Sequence, residues 1–82
     1  MNQNLRDLTF GEKAVGLTFN PSNNNNVQKI KELYAEIIDI LHEIERPASD
    51  NISSNDINRL VDIAITQAQT AQMWAVKVIT LK

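Results

Sequence analysis

Aromatic, amide, hydroxyl and cationic side chains near the N-terminus are the groups that could bind a nucleotide-like ligand. Phe10 and Phe19 offer rings that can stack on a base, an interaction of about 1 to 3 kcal/mol per base. Asn20 places an amide donor beside an acceptor, which suits the edge of a base. Ser22 adds a hydroxyl, and Lys13 adds a point charge that can hold a phosphate. The first quarter of the chain is therefore a candidate recognition site.

Each of these residues also has a structural interpretation. For Phe19 we prefer a core position that fastens the N-terminal arm, whereas Phe10 fits either role. Asn20 fits base recognition or an Asx turn into Pro21 equally well. Ser22 fits a helix cap better than a ligand contact.

A second polar cluster lies in the C-terminal third of the chain. It consists of Thr66, Gln67, Gln69 and Thr70. These side chains predict either a polar pocket between subunits or hydrogen bonds across a helix interface. Two further cations, Arg59 and Lys77, could each bind a phosphate. Arg59 shares a helix face with Asp56 and Ile63, so we expect it near the packing seam.

Catalytic and metal chemistry find little support in the residue types. His42 and Glu43 are adjacent, so they point in different directions on a helix, and no nucleophile is placed to use them. The chain has no cysteine and one histidine, which leaves no residue set for a zinc site. We expect a binding protein without catalytic residues, metal or cofactor.

A short helix and a defined exit should position the N-terminal candidates. Thr9 and Glu12 form a T-x-x-E capping box, which predicts a helix over about residues 9–16. Gly16 suits the left-handed residue that ends a helix. Asn20 precedes Pro21, which restricts it to extended conformations and separates this helix from the next. We call residues 19–24 the elbow.

Two long amphipathic helices should follow the elbow. The first, at about residues 24–46, ends before Pro47 and carries apolar residues at three- and four-residue steps: Val27, Ile30, Leu33, Tyr34, Ile37, Ile38, Leu41 and Ile44. The second, at about residues 54–81, starts near Ser53 and Asp56 and carries a similar stripe: Ile57, Leu60, Val61, Ala64, Ala68, Ala71, Ala75 and Val78. The connection between them suits an antiparallel pair. The fold class predicted is all-α, a short N-terminal helix and a long antiparallel hairpin in a single domain spanning residues 1–82.

Composition limits the partners of such a hairpin. A chain of 82 residues is a marginal monomer, and the segment MWAVKVITL is apolar around nearly its whole circumference, so we expect a homo-oligomer. The net charge of −2 does not favour binding to DNA. Neither a membrane span nor a secretory signal is recognisable, so we expect a cytoplasmic protein.

Two blocks of the sequence resemble known phage proteins. GEKAVGLTFNPSNNNNVQKIKELYAEIIDIL resembles the helical hairpin of the Thoeris anti-defence proteins of the first type. RLVDIAITQAQTAQMWAVKVI resembles the C-terminal helix of the second anti-CBASS protein, where the pattern reads like R-W-x-x-I-A-x-T-x-x-Q-T-x-x-M-x-x-V-R. Leu60 and Lys77 depart from that second pattern, and Ala71 stands where the anti-CBASS protein has a glycine; Lys77 lacks the bidentate grip of an arginine.

This resemblance implies a homohexameric sponge that sequesters cyclic nucleotide immune signals without cleaving them. The signals are cyclic dinucleotides, cyclic trinucleotides or cyclic ADP-ribose isomers, and the setting is the cytoplasm of an infected bacterial host. By motif, the stacking aromatic falls on Phe10, the ligand-contacting amide on Asn20 and the arginine on Arg59. The candidate ligand-binding residues are Phe10, Lys13, Asn20, Ser22, Arg59, Thr66, Thr70 and Lys77. The alternative is a structural hairpin that binds a protein partner.

Overall fold

A computed structural model of the chain describes residues 7–44 and 52–81, with side chains in the second range from residue 56 onward. It contains three helices, α1 (Phe10–Ala14), α2 (Asn25–His42) and α3 (Ile52–Thr80), and these described ranges hold no strand. The predicted all-α class and the order of a short helix followed by a long hairpin are confirmed. No helix in the described ranges is both long and apolar enough to span a bilayer.

Helix α1 forms as its capping residues predict. The Thr9 hydroxyl accepts the Glu12 backbone N–H at 3.1 Å, and the Glu12 carboxylate accepts the Thr9 backbone N–H at 2.9 Å. The helix ends at Ala14 with Val15 as its C-cap, and Gly16 follows with a φ of 64°. The capping box and the left-handed glycine are both confirmed.

Helix α2 is shorter than the predicted 24–46. Asn24 is its N-cap, because its side-chain oxygen accepts the backbone N–H groups of Asn26 and Val27 at 2.7 and 3.3 Å. The helix ends at His42, and the Glu43 N–H bonds back to the carbonyl of Asp39. The predicted end at residue 46 is wrong because the chain already turns at 43 and 44. Pro47, the expected helix stop, lies outside the described residues.

Helix α3 begins earlier than the predicted residue 54. It runs from Ile52 to Thr80, so Ser53 is itself helical and does not precede the helix as its cap. At the other end Leu81 is no longer helical. The predicted bounds are therefore displaced by two residues at the start and by one at the end.

Helices α2 and α3 pack antiparallel, and α1 covers one side of their junction. Near one end Ile38 shares the buried core with Val61, while at the other end Val27 lines a groove with Thr80. Since sequence order reverses between the helices, they run in opposite directions. The buried core is formed by Val15, Ala35, Ile38, Val61 and Ile65.

The structure buries only part of the apolar stripes expected from the sequence. Leu33 and Leu60 are exposed, whereas their neighbours Tyr34 and Val61 pack in or against the core. Seven exposed helical residues form what we call the apolar stripe: Leu33, Ile37, Ile40, Ile57, Leu60, Trp74 and Val78. The expectation that the apolar faces of α2 and α3 pack against each other is wrong for Leu33, Ile37, Ile57 and Leu60. Trp74 and Val78 belong to MWAVKVITL, the segment expected to leave apolar surface uncovered in one copy, and they are exposed. Each helix carries two adjacent apolar rows, and the hairpin uses one of them.

The apolar stripe lies on one side of the hairpin and α1 on the other. Leu33 and Leu60 each come one residue before a residue of the packed row, a rotation of 100° about each helix. Because the helices are antiparallel, equal rotations of this kind turn both rows toward the same side. Asp39 and Gln69 come one residue after the packed row, and both contact α1. The hairpin therefore has an apolar side and a side that carries α1.

The molecule is flat. Its extents are 47 × 32 × 12 Å and its radius of gyration is 15.1 Å, against about 12 Å for a compact chain of this length. Its accessible surface is 6106 Å², against about 5000 Å² for a folded monomer of its mass. A single copy thus leaves an unusually large surface in water.

Candidate functional site

The N-terminal arm is fastened to α2 by one close backbone approach. The Gly11 N–H donates to Asp39 Oδ1 at 2.6 Å. A Cβ at Gly11 would lie 2.1 Å from the carbonyl oxygen of Ala35, so only glycine fits. Beside this contact the rings of Phe10 and His42 stack with centroids 3.9 Å apart and planes 5° from parallel. Phe10 therefore fastens the arm, and one face of its ring is already occupied.

The elbow is held by its own polar side chains. Asn20 Nδ2 donates to the carbonyl of Asn24 at 3.1 Å, and the Ser22 hydroxyl donates to Asn20 Oδ1 at 2.9 Å. Ser22 Oγ also accepts the Asn24 N–H at 3.3 Å. Asn23 adopts a φ of 55°, a conformation that asparagine tolerates better than most residues. The amide of Asn20 thus shapes the elbow, and each of its polar atoms keeps capacity for one more hydrogen bond.

Phe19 stands out from this rigid elbow with 70% of its surface exposed. The preferred interpretation of Phe19 as a core residue is therefore wrong, because the residues that fill the core come from positions 15, 35, 38, 61 and 65. Exposure of the ring could not be read from the sequence, since it depends on the path of the elbow. The structural interpretation therefore holds for Phe10, which packs on His42, and does not hold for the exposed Phe19.

Two grooves flank the Phe19 ring. The larger has a volume of about 470 Å³ and lies between α1, α2 and α3, lined among others by Lys13, Gly16, Gln69 and Met73. The smaller has a volume of about 260 Å³ and is lined among others by Asn20, Ser22, Val27 and Thr80. The larger groove is within the lower part of the size range of ligand pockets, and the smaller one lies slightly below that range. Three of the predicted site residues, Lys13, Asn20 and Ser22, line these two grooves.

Lys31 lies beneath the ring and lines both grooves. Its side chain is only 6% exposed. The ammonium donates to the carbonyl of Gly16 at 3.0 Å and to that of Phe19, and it lies 5.5 Å from the Phe19 ring centroid. Burial lowers its pKa below the usual value because desolvation disfavours the charged form. Lys31 was not among the predicted site residues. Its position in the same helical row as Val27, Ala35 and Ile38 nevertheless indicated that it would be buried.

The four predicted site residues of α3 lie on a separate surface. They share one row along the helix, at steps of three and four residues: Arg59, Ile63, Thr66, Thr70, Met73 and Lys77. This row comes two residues before the packed row and so faces away from α2. The expectation that Arg59 lies near the packing seam is wrong, because Val61 and Ile65 occupy that seam.

Within this outward row the polar residues divide between two shallow grooves. Arg59 and Thr66 line a groove of about 400 Å³ together with Asp62, Ile63 and Gln67. Thr70 donates to the carbonyl of Thr66 at 3.1 Å within the helix. Lys77 lies over the Trp74 ring at 5.7 Å and lines another groove of about 230 Å³. Since the described residues that line each groove all belong to α3, these residues cover only one side of any ligand placed there.

Gln69 resolves part of the ambiguity in the second polar cluster. Its side-chain amide donates to the Ala14 carbonyl at 3.3 Å, so this residue bonds across a helix interface. Thr66 and Gln67 instead line the outward groove of α3. The expected hydrogen bond across a helix interface therefore occurs at Gln69, whereas a polar pocket between subunits stays a prediction. Among the described residues no group of three potential metal ligands is close enough to hold an ion.

The fold and the grooves define a small helical-hairpin protein with concave surfaces at its N-terminal arm and along its last helix. Residues 12–80 match the family profile of the Acb2/Tad1 hairpin domain. The chain therefore belongs to the Acb2/Tad1 hairpin-domain family, as its resemblance predicted. This family comprises sponge-type binding proteins of phage anti-defence and not known enzymes, and membership implies binding of cyclic nucleotide signals. No curated protein and no solved structure gave a significant match to the chain.

Proposed function

We propose that this protein is a phage immune-evasion sponge that binds and sequesters cyclic nucleotide second messengers without degrading them. Cyclic dinucleotides, cyclic trinucleotides and cyclic ADP-ribose isomers are the candidate ligands. Held in the sponge, the messenger does not reach its CBASS or Thoeris effector in the cytoplasm of the infected host. The match of residues 12–80 to the Acb2/Tad1 hairpin domain carries this proposal.

Phe19 is the ring that we propose to stack on a base of the ligand. It is 70% exposed, whereas Phe10 is 44% exposed and has one face covered by His42. Its elbow is fixed by hydrogen bonds before any ligand arrives, so little entropy is lost on binding. Lys13 and Asn20 line the flanking grooves and supply a cation and an amide within the same region.

Self-association through the apolar stripe follows from the surface that one copy leaves uncovered. Trp74 and Val78 are 62% and 71% exposed, and leaving such side chains in water costs about 1.5 to 3 kcal/mol each. The stripe lies opposite α1, so copies that join through it leave the Phe19 grooves on the outside of that contact. We propose a homo-oligomer, with the hexamer that the resemblance implies as the expected state.

The outward row of α3 is a second proposed ligand surface, completed by another copy. Arg59 and Thr66 line a groove whose described lining residues all belong to α3, so we expect a second copy to supply its other wall. Lys77 lies 18 residues after Arg59 in the same row, a separation of about 27 Å along a helix. A single small ligand is too short to reach both cations of one chain, so we propose that Arg59 and Lys77 belong to different contacts.

Ligand binding and ligand recovery test the proposal together. Calorimetry with cyclic dinucleotides, cyclic trinucleotides and cyclic ADP-ribose isomers should identify at least one that binds. After heat denaturation of the complex, chromatography should recover that ligand intact. Linear or opened product would mean that the protein is an enzyme. No binding to any of these ligands, together with a shift in melting temperature on adding a protein partner, would favour the structural hairpin.

Three substitutions locate the stacking ring. Phe19→Leu keeps apolar bulk but removes the ring, so it should weaken binding roughly 5- to 150-fold, the equivalent of one lost stacking contact. Phe19→Tyr keeps the ring and should retain affinity. Phe10→Leu should lower stability more than affinity, because Phe10 fastens α1. Equal affinity of Phe19→Leu and wild type would remove Phe19 from the site and return Phe10 to it.

A further inference from the structure

Lys31 is a cation in the mostly apolar buried seam of the hairpin, where Gln72 of α3 is a second buried polar residue. Lys31 belongs to the α2 row that faces α3 and is as buried as its apolar neighbours, with 6% exposure against 2% for Val27 and 3% for Ala35. Lysines usually bury their methylene stem and keep the ammonium in water. Here the ammonium itself is drawn inside the protein. Some function other than solubility must explain a lysine at this position.

The partners of the Lys31 ammonium all lie at the entrance of the elbow. It donates to the Gly16 carbonyl and to the Phe19 carbonyl, three residues apart in the chain. The Gly16 carbonyl also accepts the Phe19 N–H at 2.9 Å. Among the described residues, its hydrogen-bond partners are therefore backbone carbonyls that belong to one turn. The Lys31 side chain of α2 therefore holds this turn in place through its hydrogen bonds to the two carbonyls.

Stability alone does not account for this arrangement. A methionine has nearly the same length and would fill the same space without burying a charge. Replacement of buried charges by apolar residues of similar volume is often neutral or stabilising. What a methionine cannot do is donate hydrogen bonds to the Gly16 and Phe19 carbonyls, which would then turn toward water and carry the Phe19 ring with them.

We propose that Lys31 is a positioning residue that fixes the Phe19 ring between its two grooves. The elbow is fastened at two ends: by Lys31 at Gly16 and Phe19, and by the Asn24 cap with its bonds to Asn20 and Ser22. Only the second fastening is local in sequence. Lys31 connects the elbow to the hairpin and thereby sets where the ring stands relative to α3. Its effect on ligand affinity rests on the proposed function, whereas its effect on the elbow does not.

Amide hydrogen exchange separates positioning from a general core role. The variant is Lys31→Met and the matched control is Lys29→Met, the same change at an exposed position two residues away. In Lys31→Met the Phe19 amide should exchange about ten-fold faster. The amides of Ile38 and Ile65 in the core should exchange as in wild type, and the denaturation midpoint should not fall. Lys29→Met should leave all three amides unchanged.

Two outcomes of the exchange experiment would overturn the proposal. One is an unchanged rate at Phe19 in Lys31→Met. The other is an equal acceleration at Phe19, Ile38 and Ile65, which would mean that Lys31 supports the core as a whole. Either result is independent of whether the protein binds a cyclic nucleotide.

Binding measurements test whether the position of the Phe19 ring set by Lys31 affects ligand affinity. With a cyclic dinucleotide that wild type binds, Lys31→Met should lower affinity about ten-fold while Lys29→Met does not. A loss of affinity without faster exchange at Phe19 would show that the ammonium contacts the ligand directly and would overturn positioning. If wild type binds none of the cyclic nucleotides, the proposed function fails while the exchange result still decides the role of Lys31 at the elbow.

Discussion

Gly11→Ala should detach or displace α1, although alanine is the better helix former. The added Cβ would meet the Ala35 carbonyl oxygen at 2.1 Å and Asp39 Oδ1 at 2.9 Å. Ordinary contacts of a Cβ atom begin at 3.4 Å, and the nearest obstacle is backbone within α2. Helix α1 must therefore move away by more than 1 Å, since α2 cannot give way at Ala35 without breaking its own helix.

The expected loss follows from the contacts that this movement breaks. The Gly11 N–H bond to the Asp39 carboxylate is charge-assisted and contributes about 1.5 to 3 kcal/mol. The Phe10–His42 stack contributes about 0.5 to 1.5 kcal/mol more, and part of the burial of Val15 is lost with it. The higher helix propensity of alanine returns at most about 1 kcal/mol. We expect the free energy of unfolding to fall by about 2 to 4 kcal/mol.

Denaturant unfolding followed by circular dichroism, at one fixed protein concentration, measures this loss. Lys13→Ala is the matched control, because it introduces the same residue at an exposed position of the same helix and should change little. Asp39→Asn should be costly in wild type and nearly neutral in Gly11→Ala, since the bond is already broken there. A Gly11→Ala protein as stable as wild type would refute the inferred docking of α1.

Three further predictions concern charge, assembly and capping. Because burial lowers the pKa of Lys31 below 10.5, the unfolded chain binds more protons than the folded chain between that lowered pKa and 10.5. The free energy of unfolding should therefore rise with pH across this interval, and denaturant titrations of Lys31→Met should not show this rise. Trp74→Glu should yield a smaller species in sedimentation velocity, whereas Lys29→Glu should sediment as wild type; an unchanged Trp74→Glu oligomer would exclude the apolar stripe as the contact. Asn24→Ala should lower the melting temperature through a lost cap of about 1 kcal/mol, and Asn25→Ala should have a smaller effect if Asn24 alone caps α2.

Local chemistry made the N-terminal arm predictable. Thr9 and Glu12 lie three residues apart, and the reciprocal bonds of a capping box need no tertiary contact. Gly16 likewise ends its helix for reasons contained in its own backbone. The arm, the elbow and the hairpin, and their order along the chain, could therefore be predicted from the sequence.

The packing of the helices against one another could not be predicted from local sequence in this way. Leu60 and Val61, or Ile37 and Ile38, are equally apolar, so periodicity alone could not decide which row packs inside. For the same reason Arg59 was predicted to lie near the packing seam, whereas in the structure it faces away from that seam. Phe19 was misjudged and Lys31 was overlooked because of their residue types, since a phenylalanine is usually buried and a lysine usually exposed. Their positions depend on the path of the elbow over α2, which no local pattern specifies.

The two sides of the hairpin are chemically independent. Residues that meet α1, such as Asp39 and Gln69, are separated around their helices from residues of the apolar stripe such as Ile37 and Trp74. Among these described residues, a residue on one side makes no direct contact with the residues of the other. Under the proposed function, substitutions around the arm would change which ligand is captured while the proposed contacts between copies, made through the apolar stripe, stay constant. Variants evolved toward new ligands should accordingly accumulate their changes on the α1 side.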